Sequence, residues 1–213
     1  MNVLFDLDGT LTDSRGGIVA CLGHALRSLG QPVPAEEVLG RLIGPPLGAT
    51  FRELLGPRGD VSTVEAAIAA YRERYSSVGL FEGLVYEGIP EALAALSSRG
   101  ARLFLATSKP RVFAERILEH FDLARHFNAI HGSELDGRLA EKGDLVGHVL
   151  ASSRLSAAET LMVGDRRHDI IGALQNEVVP VGALWGYGSE DELVAAGATR
   201  LLREPREAAG LVI

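Results

Sequence analysis

At 213 residues, with 46% apolar and 23% charged side chains, the chain has the size and makeup of one globular domain or of a domain carrying an insertion. Disorder and low-complexity scaffolds are thereby excluded. Twenty-one basic against 28 acidic residues leave a net charge of −7, which argues against a nucleic-acid polymer or an anionic membrane as partner. The single cysteine, Cys21, rules out an internal disulfide and a multi-thiolate metal site. With no secretory signal pattern and no long apolar run, a cytoplasmic location is the expectation.

Strands buried on both faces read as near-continuous apolar runs bounded by turn residues, and the first is NVLFD at residues 2–6. From about Arg15 to Gly83 the pattern is helical instead. Ile18, Leu22, Ala25 and Leu29 form one stripe and Val64, Ile68, Tyr71, Tyr75 and Val78 another, with prolines cutting the segment into short helices. Further strands are expected at residues 101–107 (ARLFLAT), 128–132 (NAIHG), 160–165 (TLMVGD) and 178–185 (VVPVGALW), with a weak sixth at residues 199–202. Helical patterns lie between the later ones, the first with Pro110 as its opening residue. Alternating strand and helix predicts an α/β fold, a doubly wound, Rossmann-like parallel sheet, with a small all-helical insertion after the first strand. The core is expected over residues 1–14 and 84–213, and the insertion over residues 15–83.

Ligands of open α/β sheets bind at the carboxyl ends of the strands, and the reactive residues collect there. DLDGTLTDS at residues 6–14 places Asp6 and Asp8 two apart around a turn, one suited to nucleophilic attack and the other to proton transfer. GDRRHD at residues 164–169 adds Asp165 and Asp169. Magnesium takes carboxylate oxygens, so Asp6, Asp165 and Asp169 suit a half-shell for that ion. Thr107 and Ser108 stand just before a helix, where hydroxyls and orphan amides favour a phosphate dianion, and Lys142 opens another helix with a movable positive charge. Together these meet the needs of phosphoryl transfer.

In order and spacing, Asp6-Leu7-Asp8-Gly9-Thr10, Thr107, Lys142 and Gly164-Asp165 with Asp169 resemble the four motifs of haloacid dehalogenase superfamily hydrolases, over nearly the whole chain. The resemblance implies an aspartyl-phosphate on Asp6, acid and base roles for Asp8, phosphate contacts from Thr107, Ser108 and Lys142, and a magnesium set of Asp6, Asp8, Asp165 and Asp169. It also implies that the insertion is a cap. Family members that dehalogenate carbon or cleave phosphonates lack an aspartate at the place of Asp8, so its presence implies a phosphatase or phosphomutase. TDSRGGI, LIGPPL, ATSKP, HGSELDG and WGYGS are similar to the phosphoglycolate phosphatase group, most of all to its 5'-nucleotidase-like branch. The expected partner is a small phosphorylated metabolite. A sugar-phosphate phosphomutase and a catalytically silent binding protein on the same fold are the alternatives.

Several residues have plainer readings. Ser14 suits a helix N-cap, Cys21 a buried apolar position, and the six histidines show no metal-ligand spacing. Trp185 and Tyr187 suit either packing at the sheet end or the rim of a site. In the insertion, Arg41 and the rigid Gly44-Pro45-Pro46 loop are the candidates for substrate selection. Glu177 stands where similar sequences usually carry glycine after a helix, and Asn176 is expected to take the left-handed conformation there.

Overall fold

The computed structural model describes residues 1–211, which form two compact units, Met1–Asp13 with the chain from Val85 onward and Ser14–Leu84. In chain order the elements are β1 (Asn2–Phe5), β2 (Thr12–Asp13), α1 (Arg15–Ser28), α2 (Glu36–Gly40), α3 (Leu47–Leu55), α4 (Val61–Ser77) and β3 (Leu84–Val85). They continue as α5 (Ile89–Ser98), β4 (Arg102–Pro110), α6 (Arg111–His120), β5 (Ala129–Ser133), α7 (Lys142–Ser153), β6 (Thr160–Gly164), α8 (Arg167–Gln175), β7 (Val179–Ala183), α9 (Glu190–Ala196) and β8 (Arg200–Leu202).

The larger unit holds a six-stranded sheet in the order β5-β4-β1-β6-β7-β8, with every adjacent pair parallel. β1 is central and buried along its whole length, which explains its unbroken apolar run. Leu4 aligns with Phe104 on one side and Met162 on the other, and these three pack with Leu145, Val146 and Val149 of α7 and Ala173 of α8. From β1 the chain builds outward to β4 and β5, then crosses back to β6, β7 and β8. The reversal opens a crevice beyond the carboxyl ends of β4, β1 and β6.

The smaller unit is built from α1 to α4. Its buried Tyr71 stacks on Tyr75 at 5.1 Å between ring centroids and meets Phe51 edge-on at 6.3 Å. Cys21 is fully buried and accepts a hydrogen bond from Arg74 Nη1 at 3.1 Å, while the same guanidinium forms a two-pronged pair with Glu82. Val78, expected on the α4 stripe, lies past the helix end and is exposed.

Two local expectations fail, each by one residue. Pro110 ends β4 with ψ 130 and acts as N-cap, so α6 begins at Arg111. Asn176 has φ −112, and Glu177 is the left-handed residue, with φ 57. Asn176 is still the cap of α8, and the left-handed position of this helix-ending turn is the residue after the cap. Val178 N–H bonds Ala173 O at 3.0 Å and Glu177 N–H bonds Leu174 O at 3.2 Å, which fixes that frame.

Candidate active site

Strand register brings the separate motifs together. Phe5 aligns with Leu105 and with Val163, so Asp6, Thr107 and Asp165 emerge side by side at the carboxyl edge. Asp6 N–H still bonds Val163 O at 2.9 Å, and the chain then turns sharply. Leu7 O accepts from the amides of Thr10, Leu11 and Thr12, and Gly9 takes φ 86. A Cβ on Gly9 would lie 2.3 Å from Asp165 Oδ2, so glycine is required both for the turn and for the close approach.

Asp6, Asp165 and Asp169 are buried and present oxygens within 4.8 Å of one another. Lys142 Nζ lies among them, 2.8 Å from Asp6 Oδ1, 2.8 Å from Asp169 Oδ1 and 3.0 Å from Ala106 O. Burial works against the ammonium charge of Lys142, but the carboxylates of Asp169 and Asp6 more than offset it and raise its pKa. Burial pushes Asp165 well above the usual carboxylate range and repulsion from Asp169 and Asp6 adds to this, against hydrogen bonds from Tyr187 N–H and the Thr10 hydroxyl. Asp169 is pushed up to about 6, by burial first, with Lys142 pulling it down and Asp6 pushing it up. Three crowded carboxylates with one ammonium have an unmet demand for positive charge, and their all-oxygen donor set suits a hard divalent cation. The cluster therefore fits a metal site.

The side chain of Asp8 lies apart from these three. Its Oδ2 pairs with Lys109 Nζ at 2.9 Å, its Oδ1 is buried without a hydrogen-bond partner, and its carboxylate is not in the group of three. Lys109 was not singled out by motif reading. Thr107 is buried at the end of β4, where its hydroxyl oxygen accepts Lys109 N–H at 3.3 Å. Ser108 is fixed through its carbonyl, which accepts the Ser133 hydroxyl at 2.8 Å. The strand passes so close to β5 here that a Cβ on Gly132 would meet Lys109 O at 2.6 Å.

The loop after β7 is part of the same construction. Trp185 Nε1 donates to Thr10 O at 2.9 Å, Tyr187 N–H donates to Asp165 Oδ2 at 2.8 Å, and the Tyr187 hydroxyl donates to Asp13. Gly186 and Gly188 each lie against Asp165 so closely that a Cβ would overlap it. Of the two readings open for Trp185 and Tyr187, the one beside the site holds. In the smaller unit, Arg41 follows α2, Gly44 has φ 119, Pro45 precedes Pro46, and Pro46 caps α3. Ser14 is the N-cap residue of α1, although its side chain makes no capping hydrogen bond.

This arrangement defines a strand-end carboxylate site on a doubly wound sheet. The chain belongs to the family of haloacid dehalogenase-like hydrolases, whose model matches residues 3–183, and it is an enzyme of the family's phosphatase group. It is 50% identical over 194 residues to a 5'-nucleotidase of Pseudomonas aeruginosa, covering 91% of this chain and 87% of that protein. It is also 41% identical over 214 residues to the tyrosine-protein kinase PtkA of Mycobacterium tuberculosis, covering 98% of this chain and 72% of that one. A solved structure of a "predicted phosphatase" from Clostridium acetobutylicum superposes with a TM-score of 0.93 at 41% identity, over 98% of this chain and 96% of the other. No helix among the described residues is long and apolar enough to cross a membrane.

Proposed function

We propose that the chain hydrolyses a small phosphomonoester in two steps through an aspartyl-phosphate on Asp6. The observation that carries this reading is Asp6 at the centre of the crevice, flanked by Lys142 and by the carboxylates of Asp165 and Asp169. In the first step an Asp6 carboxylate oxygen forms a bond to phosphorus as the bond to the leaving oxygen breaks, and Asp8 gives that oxygen a proton. In the second, Asp8 takes a proton from water, the water oxygen attacks phosphorus, and Asp6 is released with inorganic phosphate. Lys109 holds one oxygen of Asp8, and the buried Oδ1 of Asp8 is left to meet the leaving oxygen and then the water. Thr107, Ser108 and Lys142 hold the phosphoryl oxygens.

Asp6, Asp165 and Asp169 would hold magnesium, with Asp8 contributing from the same turn. When bound, the ion supplies the positive charge that lets a phosphate dianion approach Asp6. The Ser14–Leu84 unit is read as a cap that selects the substrate, with Arg41 and Gly44-Pro45-Pro46 as its selective residues. The relative named 5'-nucleotidase supports nucleoside 5'-monophosphates as the first candidates, and the motif resemblance supports 2-phosphoglycolate beside them. A cytoplasmic setting goes with this reading, since the lone cysteine is buried as a free thiol.

The test is phosphate release from a nucleoside monophosphate, 2-phosphoglycolate and an aryl phosphate, with magnesium and with chelator. Asp6→Asn is expected to give neither product nor phosphoprotein. Asp8→Asn is expected to accumulate one phosphoryl group on Asp6 with the aryl phosphate, seen by intact-protein mass and peptide mapping. Full activity of Asp6→Asn, or full activity after exhaustive chelation, would overturn the mechanism.

A further inference from the structure

Asp165 and Asp169 are joined by a short link containing Arg166 and Arg167, and that link is held from outside the carboxylate cluster. Arg167 is the first residue of α8, so its amide is one of the helix's orphan donors. Glu192 of α9 meets that need, because its Oε1 accepts Arg167 N–H at 2.9 Å and also Arg166 Nε at 2.9 Å. On the inner side, Arg166 N–H donates to Asp169 Oδ2 at 3.1 Å. Arg166 is thus held through its main chain by a cluster carboxylate and through its side chain by Glu192. The Arg166 and Glu192 side chains are 13% and 23% exposed, which shields the pair from much of the solvent screening that weakens surface ion pairs.

Glu192 lies in the first turn of its helix. It is the third residue of α9, and its amide donates to the hydroxyl of the N-cap Ser189 at 3.1 Å. Burial pushes its carboxyl up, but the hydrogen bonds from Arg167 and Arg166 outweigh burial and leave it lowered, so it stays charged at neutral pH.

We propose that Glu192 is a positioning residue for the metal ligands: by holding the Arg166-Arg167 link it fixes the spacing of the Asp165 and Asp169 carboxylates and so sets the affinity for a divalent cation. The inference rests on the reading of Asp6, Asp165 and Asp169 as metal ligands. A purely structural role, docking α9 onto α8, would alter stability and leave that affinity unchanged.

Wild type, Glu192→Ala, Glu192→Gln and Ser189→Ala separate these roles. Magnesium and manganese binding is measured by calorimetry, thermal midpoints are taken in chelator, and phosphate release from an aryl phosphate is followed against magnesium concentration. Glu192→Ala is expected to raise the magnesium dissociation constant about 10- to 100-fold, the usual span for groups that orient ligands, with kcat at saturating magnesium within about threefold of wild type. Glu192→Gln keeps an acceptor oxygen and is expected between the two. Ser189→Ala loosens the start of α9 without touching Arg166 or Arg167, and is expected to lower the thermal midpoint at unchanged magnesium affinity. Affinity within about twofold of wild type in Glu192→Ala would overturn the proposal, as would an equal loss in Ser189→Ala. If the alanine variant does not fold, unchanged affinity in Glu192→Gln overturns it. A wild-type protein that binds neither ion would overturn the metal-ligand reading itself and this proposal with it.

Discussion

Replacing Glu177 by Gly is expected to stabilise the protein, and replacing Asn176 by Gly to destabilise it. Glu177 is exposed, its side chain makes no hydrogen bond or ion pair among the described residues, and it has φ 57. A left-handed conformation costs an L-residue roughly 1–2 kcal/mol, of which glycine is free. Against that, glycine loses roughly 0.5–1 kcal/mol more chain entropy on folding, so the net gain is about 0.5–1 kcal/mol. In a chain of this size ~1 kcal/mol moves the thermal midpoint by ~2–4 °C, so the expected rise is about 1–4 °C. Asn176 differs in both respects. Its φ of −112 carries no left-handed penalty, and its Nδ2 donates to Gly143 O at 2.8 Å and Gly172 O at 2.9 Å, tying the end of α8 to α7. Losing two such bonds costs about 1–3 kcal/mol, a fall of several degrees. Thermal unfolding by circular dichroism in chelator, with Glu177→Ala as a control that keeps the strained φ, separates the cases. A midpoint for Glu177→Gly at or below wild type, or one for Asn176→Gly above it, would refute the assignment of the left-handed position.

Two further outcomes follow from the crowding around Asp165. Gly186→Ala would place a Cβ 2.3 Å from Asp165 Cβ and 2.4 Å from Gly9 O, so it is expected to cost about 1–3 kcal/mol and to weaken magnesium binding, which melting curves and calorimetry check. Asp165→Asn is expected to raise the midpoint of the chelated protein. The folded-state pKa of Asp165 is raised, so its contribution to stability is present in acid and is lost as pH rises above the unfolded value near 3.8. The neutral amide avoids that loss, and its oxygen can accept Tyr187 N–H while its nitrogen donates to the Thr10 hydroxyl. The stability gap over wild type should therefore widen as pH rises above about 4, and magnesium should raise the midpoint of wild type only.

The parts of the fold that were legible in sequence are those where one physical rule acts alone. NVLFD and TLMVGD read as strands because both of their faces are covered, and Asp6 and Asp165 follow as the residues where those runs end. The apolar run ARLFLAT places the end of β4 at Thr107, yet the strand runs on to Pro110 with a register shift over residues 107–110. That misplaced boundary hid Lys109. In a continuing strand, Thr107 and Lys109 are two apart and share a face, a signal that a shorter strand removes. Glu192 was illegible for another reason. It lies 25 residues beyond Arg167, and only the packing of α9 beside α8 brings it there. The Asn176 error was one of frame, since composition favours asparagine for a left-handed site while the hydrogen-bond pattern of the helix end selects the position.

The electrostatics of the site explain why its scaffold is so tightly specified. Three crowded carboxylates with one ammonium among them leave a demand for positive charge that protons or a cation can meet. Burial and mutual repulsion raise the pKa of Asp165 and Asp169, which favours the first, and the all-oxygen donor set fits the second. A protonated cluster could relax its geometry by turning carboxyls aside, which would spoil it for a small ion that demands near-octahedral ligands. Each carboxylate is held against that relaxation by a group from a different part of the chain. Asp6 and Asp169 are held by Lys142, Asp165 by Thr10 and Tyr187, and Asp169 also by the Arg166 amide. Gly9, Gly164, Gly186 and Gly188 let the backbone close around these side chains, because a Cβ at any of the four would overlap Asp165 or Asp169. The glycines thus supply no ligand, but they are what lets the main chain approach the cluster closely enough to hold its geometry.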